Sequence, residues 1–442
     1  MHTGLPNVID NSLSVHEEMS AMRPVQRALA ALTAAAVLPA VAALAVAPAT
    51  ASSGSAGSTP SAADVRSTYL VTLDRGVEPG AAASAAGREF GADVTHVYRY
   101  ALRGYAARLT PAAATRLARA PGVADVVPDR PVSIAAQTVP TGVDRIDAEQ
   151  SPTAAIDGVD GRVDVDVAVI DTGIDLDHPD LNVYTAGARN CSSGRSADDG
   201  NGHGTHVAGT VGAVDNGAGV VGVAPGARLW PVRVLSNTGS GSWSSVICGV
   251  DFVTANAGAI EVANMSLGGG GADDGNCGFS NGDLLHRAVC ASVAAGVTYV
   301  VAAGNSAANS STAVPASYDE VITVSALADF DGAPGAAGSP TCRSDEDDTF
   351  ANFSNYGADV DIIAPGVCIL STYRGGGYST LSGTSMASPH VAGAAALYLV
   401  RNPSASPTDV RTALRSGGTL DWTWPSQDPD GIQEPLLDAG TL

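Results

Sequence analysis

An α/β protein preceded by a smaller α+β module is the fold class this sequence predicts, on three observations. VDVAVID (165–171) reads as a buried strand that ends in a carboxylate. Two stretches of small and apolar residues, one after His203 and one after Ser385, read as helices. Ahead of them, residues 66–132 alternate strand and helix patterns in the order βαββαβ, the ferredoxin-like split unit.

The composition supports ordered domains. The chain has 442 residues, 45% of them hydrophobic and only 15% charged, so there is ample material for a core and disorder is excluded for the bulk of it. Its length is compatible with two or three units. The net charge of −22 is unevenly spread, and all 23 basic residues are Arg. Residues 1–136 carry 11 Arg and 10 acids, whereas residues 137–442 carry 12 Arg and 35 acids, 30 of them Asp. A surface this negative argues against nucleic-acid binding, which needs a cationic face.

The elements follow in chain order. Residues 1–51 read as a secretory leader. Arg23 and Arg27 precede an uncharged run, Ala28–Ala47, and Ala49-Thr50-Ala51 places small residues where a signal peptidase reads them. A membrane span is the alternative, because the run approaches the ~20 residues a span needs. Its Ala content and the adjoining cleavage-like triplet favour the leader. Met1–Glu18 has no evident role, so Met19 or Met22 is a candidate start. No later stretch is long and apolar enough to span a bilayer, and the expected location is extracellular.

The module then unfolds as strand 67–73, helix 81–90, strands 93–100 and 102–109, helix 111–120 and strand 122–132, with Thr110 as N-cap of the second helix and Pro111 in its first turn. At about 67 residues it is marginal alone and is expected to depend on a partner. It carries 9 Arg against 6 acids, so docking onto the acidic part that follows is the expectation. That acidic part holds all six Cys, an even number that suits disulfides in an oxidising compartment. Fifteen pairings are possible. Loops of moderate length favour Cys277–Cys290 and Cys342–Cys368, which leaves Cys191–Cys248. No CxxC occurs, so a thiolate zinc site has little support.

Three segments carry chemistry. Asp171 stands at the end of the buried strand, followed by Thr172-Gly173. His203 sits between two glycines at the start of an apolar helical stretch, in NGHGTHVAGT (201–210). Ser385 lies where a Gly-Thr turn meets the long small-residue helix of LSGTSMASPHVAGAAALYLV (381–400), near the positive end of its dipole. Serine is a weak nucleophile until a neutral imidazole takes its proton and a carboxylate orients that ring. The order Asp…His…Ser differs from the α/β-hydrolase and chymotrypsin orders. An aspartic-protease reading of DTG would need a second carboxylate motif, and DTG occurs once. A metal pair of His203 and His206 would need HExxH or a third ligand. His206, His178 and His390 are expected to be structural.

The segments DTGIDLDHPDL, GHGTHVAGT, NMSLGGG, VVAAGN and GTSMASPHVAG, in this order over residues 160–400, resemble those of the subtilisin-like serine proteases. The resemblance implies a three-layer α/β/α domain around a mostly parallel sheet over residues 137–442, preceded at 65–136 by an inhibitory propeptide. It implies that Asp171 orients the base, His203 is the base, Ser385 is the nucleophile, and Asn305 donates to the oxyanion with the Ser385 N–H. In subtilisin itself, loss of that amide costs about 10²–10³ in turnover. Propeptide cleavage is expected within or near SIAAQT (133–138).

Ser266-Leu267-Gly268 would line one side of the primary specificity pocket and Ala302-Ala303-Gly304 the other, with Gly241-Ser242-Trp243 at a more distant subsite. The small apolar walls suggest apolar side chains before the scissile bond, and a peptide chain would pair along this edge as an added strand. The Asp excess suggests structural calcium, a hard ion that takes oxygen ligands. One expected site joins Asp180 and Asn216 to the carbonyls of Val214, Ala218 and Val220. A second joins Asp361 to the carbonyls of Asp319 and Val321. Asp198, Asp199 and Asn201 are a third candidate, and Ser344–Asp348 is expected to be plain surface. A catalytic metal is not expected, and the mature enzyme is expected to be a monomer acting on proteins and peptides.

Overall fold

In the computed structural model, residues 66–129, 136–425 and 428–442 are described. The expected leader and residues 133–135 of the expected cleavage segment lie outside them. The chain divides into two compact units, Met1–Arg130 and Pro131–Leu442.

In the first unit the elements are β1 (Ser67–Leu73), α1 (Pro79–Phe90), β2 (Asp93–Tyr98), β3 (Gly104–Leu109), α2 (Pro111–Leu117) and β4 (Val123–Pro128). The sheet order is β2-β3-β1-β4, and every pairing is antiparallel. This is the expected split unit. Helix α1 starts two residues before the sequence reading, because the Glu78 carboxylate caps it by accepting from the Gly80 and Ala81 N–H groups. Thr110 caps α2 through the Ala113 N–H, as expected, but the helix ends at Leu117. Val71, Tyr105, Ala107, Leu109 and Leu117 form the core of the unit.

The second unit opens with α3 (Thr141–Arg145), followed by β5 (Asp166–Asp171), β6 (Arg189–Asn190), α4 (His203–Gly212), β7 (Arg228–Arg233), α5 (Trp243–Ala255), β8 (Val262–Met265) and β9 (Gly269–Gly270). After these come α6 (Leu284–Ala294), β10 (Thr298–Ala302), β11 (Ala313–Val314), β12 (Ile322–Ala328), β13 (Thr349–Phe350), β14 (Ile362–Pro365), β15 (Ile369–Tyr373), β16 (Gly377–Leu381), α7 (Thr384–Arg401) and α8 (Pro407–Gly417). The main sheet runs β13-β12-β10-β8-β5-β7-β6, with β14 also paired to β12. Its pairs are parallel except β12 with β13.

Central strands are buried on both faces and send alternate side chains into two cores. From β5, Val167 and Val169 join α4 and α7 on one side, while Ala168 and Ile170 join α5 and α6 on the other. The result is the expected three-layer α/β/α arrangement. Helix α7 is buried almost all round, and its Ala and Gly residues let it lie close to α4 and to the sheet. All three expected disulfides are formed: Cys191–Cys248, Cys277–Cys290 and Cys342–Cys368. Among the described residues, no helix is long and apolar enough to cross a membrane. Ser344–Asp348 is not the plain surface expected: Asp345, Asp347 and Asp348 are buried.

Candidate active site

Asp171 ends β5 at the point where the strand order turns, with β7 on one side of β5 and β8 on the other. Such a switch point opens a crevice at the carboxyl ends of the strands. Asp171 is fully buried, and its Oδ1 accepts the Thr172 N–H at 2.6 Å and lies 2.8 Å from His203 Nδ1. A carboxylate facing Nδ1 holds the hydrogen there and leaves Nε2 as the lone-pair nitrogen.

His203 is the first residue of α4. The N-cap is Gly202 at φ +112°, where a Cβ would come 2.2 Å from the Tyr373 ring, so both conformation and space demand glycine. Asp199 ties this turn together, Oδ1 accepting from Asn201 N–H, Gly202 N–H and the Thr172 hydroxyl, and Oδ2 from the Thr205 N–H and hydroxyl. Burial lowers the His203 pKa, but the Asp171 charge and hydrogen bond, with help from Asp199, outweigh it and leave the ring above its ordinary value.

Ser385 is the second residue of α7. Four residues on, Pro389 lacks the N–H that would bond the Ser385 carbonyl. The Ser266 hydroxyl takes its place, donating to that carbonyl at 2.9 Å. Ser266 Oγ in turn accepts from Asn264 Nδ2, whose Oδ1 accepts from the Ser388 hydroxyl. This buried relay anchors α7 to the strand it crosses and sets the height of Ser385. The Ser385 hydroxyl donates to the Ser266 carbonyl at 3.3 Å, and among the described residues no hydrogen bond joins it to His203. Such bonds are often loose before substrate arrives.

Asn305 lies beside the start of α7. Its Oδ1 accepts both the Thr384 N–H (2.8 Å) and the Thr384 hydroxyl (3.0 Å). Two donors on one end of the amide fix its orientation and leave Nδ2 as the end that can donate. Asn355, which the sequence reading missed, holds the segment around it. Its Nδ2 donates to the Ala303 carbonyl, and its Oδ1 accepts the Ser306 and Ala308 N–H groups.

Two clefts flank Ser385 and His203. One, of about 490 Å³, is lined by Ser266, Leu267 and Gly268 on one side and Ala302, Ala303 and Gly304 on the other, with Asn305 and Ser385. Residues that the sequence reading did not place, Ala308, Thr312–Val314, Ala316 and Asn355, complete it. The second, of about 690 Å³, is lined by His203, Leu235, Gly239–Trp243 and Ser266–Gly269. Neither contains a carboxylate or an Arg.

His206, His390 and His178 serve packing. His206 Nε2 meets the Ile369 and Ser379 carbonyls, and His390 Nδ1 meets the Met386 carbonyl. Burial pushes both rings down to about 4, so they stay neutral. His178 Nε2 meets the Gly377 carbonyl.

The expected calcium sites fare differently. Buried Asp180 accepts the Val220 N–H and faces the Asn216 amide, while the Val214 and Val220 carbonyls converge on the Gln137 amide at 2.8 and 3.1 Å. A carboxylate and two carbonyls in one cradle are oxygen donors of the kind a hard cation takes. Gln137 was not legible as a member, because it arrives through the pairing of Thr138 with Val220.

At the second expected site the structure overturns the reading. Arg411 donates to Asp361 Oδ1 and to the Asp319 carbonyl, and Arg415 lies 3.3 Å from the same Asp361 oxygen. The Asp361 and Asp319 oxygens expected to hold calcium with the Val321 carbonyl thus face a cation of the protein's own, and a further ion there would meet two guanidiniums. Asp199, in the third candidate, spends its oxygens on the α4 turn. Removal of calcium by chelator is therefore expected to shorten the half-life at elevated temperature, in part through the Asp180 cradle. Asp180→Ala should reduce that chelator effect and Asp361→Asn should not; an unchanged half-life in the parent would sink the expectation.

Comparison with known proteins gives the family. Residues 163–418 match the model described as the subtilase family, and residues 53–135 match peptidase inhibitor I9. The chain belongs to the subtilase family and is a serine endopeptidase with an inhibitor-type propeptide domain ahead of it. It is 42% identical to Subtilisin DY of Bacillus licheniformis over 288 residues, 64% of this chain and 93% of that one. It is 44% identical to Subtilisin Savinase of Lederbergia lenta over 284 residues, with the same two coverages. A cold adapted subtilisin-like serine proteinase of known structure matches with a TM-score of 0.54 at 36% identity, over 68% of this chain and 98% of that one.

Proposed function

We propose that the chain is a secreted, self-processing endopeptidase that cuts after apolar residues, with Ser385 as nucleophile, His203 as base, Asp171 as its orienting carboxylate and Asn305 in the oxyanion hole. The observation that carries the reading is the 2.8 Å contact of the Asp171 carboxylate with His203 Nδ1, in a cleft that shares Ser266–Gly269 with the cleft lined by Ser385. The Ser385 hydroxyl turns from the Ser266 carbonyl to His203 Nε2, which takes its proton as Oγ attacks the scissile carbonyl carbon. The carbonyl oxygen becomes an oxyanion between Asn305 Nδ2 and the Ser385 N–H, groups already fixed in place. His203 returns the proton to the leaving amine, and water repeats the sequence to free the acyl group.

Residues 65–136 act as the chain's own inhibitor and folding aid and are released by a cut near residue 136. Calcium is structural, held by Asp180, Asn216, Gln137 and the Val214, Ala218 and Val220 carbonyls. The mature enzyme works as a monomer outside the cell, without nucleic acid or membrane. The uncharged clefts support the apolar preference, since a charged side chain would find no partner in them. Digestion of a peptide library is expected to favour large apolar residues before the cut over Arg, Lys, Asp or Glu by at least about tenfold. Preferential cutting after basic residues would overturn this specificity.

A further inference from the structure

Asp329, Asp331 and Asp347 bring carboxylate oxygens within 4.8 Å of one another at the two ends of the loop between β12 and β13. The Asp329 side chain is 0% exposed. Its Oδ1 accepts the Gly332 N–H at 2.8 Å, while Oδ2 is buried with no hydrogen-bond partner. Asp347, also buried, accepts the Phe330 and Gly338 N–H groups, one on each oxygen. Asp331 accepts the Ala333 N–H and remains exposed, which gives the cluster an opening to solvent. The local sequence is Asp-Phe-Asp-Gly. Gly332, at φ +75°, folds the chain back, and a Cβ there would come 2.6 Å from the Asp144 carboxylate. Yet another acid thus crowds the same turn.

The charges do not balance. Arg145 is the one guanidinium paired with the cluster among the described residues. Its Nε lies 2.9 Å from Asp348 Oδ1 and 3.3 Å from Asp329 Oδ2, and its NH2 group lies 3.5 Å from Asp421. One positive charge is shared by Asp329, Asp348 and Asp421, with Asp331 and Asp347 alongside. Buried carboxylates left without a counter-charge are costly.

We propose that Asp329, Asp331 and Asp347 bind a calcium ion, a hard divalent cation that supplies the missing charge. The ion closes the two ends of the loop on each other. The same loop is tied by Cys342–Cys368, and the Cys368 N–H donates to the Ser382 hydroxyl three residues before Ser385. The site is separate from the Asp180 cradle and does not depend on the catalytic reading.

The test is calorimetric titration with calcium chloride of the chelator-stripped full chain, carrying Ser385→Ala to prevent self-digestion. Adding Asp331→Ala is expected to remove one equivalent of bound calcium, or to weaken one site by at least about tenfold, whereas adding Asp180→Ala leaves that site intact. The Asp331 side chain is exposed, so its loss spares the fold; Asp329→Asn should give the same result. As a second readout, the calcium-dependent rise in thermal midpoint that persists in the Asp180→Ala chain should disappear when Asp331→Ala is added. The same number of ions bound at the same affinity with and without Asp331→Ala would overturn the proposal.

Discussion

Ser385→Ala is expected to leave the full chain uncut near residue 136 and to lower turnover on peptide substrates by on the order of 10⁴–10⁶. The reason lies in how little else that hydroxyl does. Its hydrogen bond is a 3.3 Å contact to the Ser266 carbonyl. The start of α7 is held by other groups: the Ser266 hydroxyl on the Ser385 carbonyl, Asn305 on Thr384, and the Ser388–Asn264 pair. Alanine preserves all of these and has the higher helix propensity. The variant should therefore fold, and the loss is chemical. Intact mass of the purified chain reads the result directly. A Ser385→Ala chain that matures fully in a purified preparation would show that the cut is made by another enzyme, and would remove self-processing from the proposed function.

How much of this was legible in the sequence depends on distance along the chain. The Asp171, His203 and Ser385 segments announce themselves locally, because each needs a tight turn beside a strand end or helix start and so carries glycine and small residues at fixed offsets. The βαββαβ module was readable for the same reason: Thr110 and Pro111 punctuate α2 in sequence. The groups that stayed hidden act across long separations. Asn355 shapes the backbone around Asn305 from 50 residues away, through three hydrogen bonds to main chain that no motif marks. Gln137 joins the Asp180 cradle only because Thr138 pairs with Val220.

Arg411 is the instructive reversal. The Asp361 carboxylate and the Asp319 carbonyl were read as calcium ligands, but a helix capped by Ser406 and Asp409 brings a guanidinium there. The same blindness runs the other way at Ser344–Asp348. An acidic run looks solvated until the fold buries it against Asp329 and leaves one arginine to answer several carboxylates.

The second large effect is expected at Asp171. Asp171→Ala should lower kcat by about 10⁴, because it takes away both the acceptor that fixes the His203 ring and the charge that steadies the imidazolium formed during attack. The substitution also carries a pH signature that a merely structural loss would not. In the parent, kcat/KM falls as pH drops through the His203 pKa, since only the neutral ring can take the serine proton. That step should lie above the ordinary histidine value, because Asp171 and Asp199 outweigh burial. With Asp171 gone, burial is opposed by Asp199 alone. The His203 pKa then falls and the acidic limb of the residual activity moves to lower pH.

Asp171→Asn separates the two contributions. The Thr172 N–H, 2.6 Å from Oδ1, selects the amide oxygen for that position. The acceptor facing His203 Nδ1 is thereby retained while the charge is lost. Asn should shift the limb in the same direction as Ala yet keep more activity. An acidic limb that stays in place in both variants would mean that the group titrating in the parent is not His203, and the assignment of the base would fall with it.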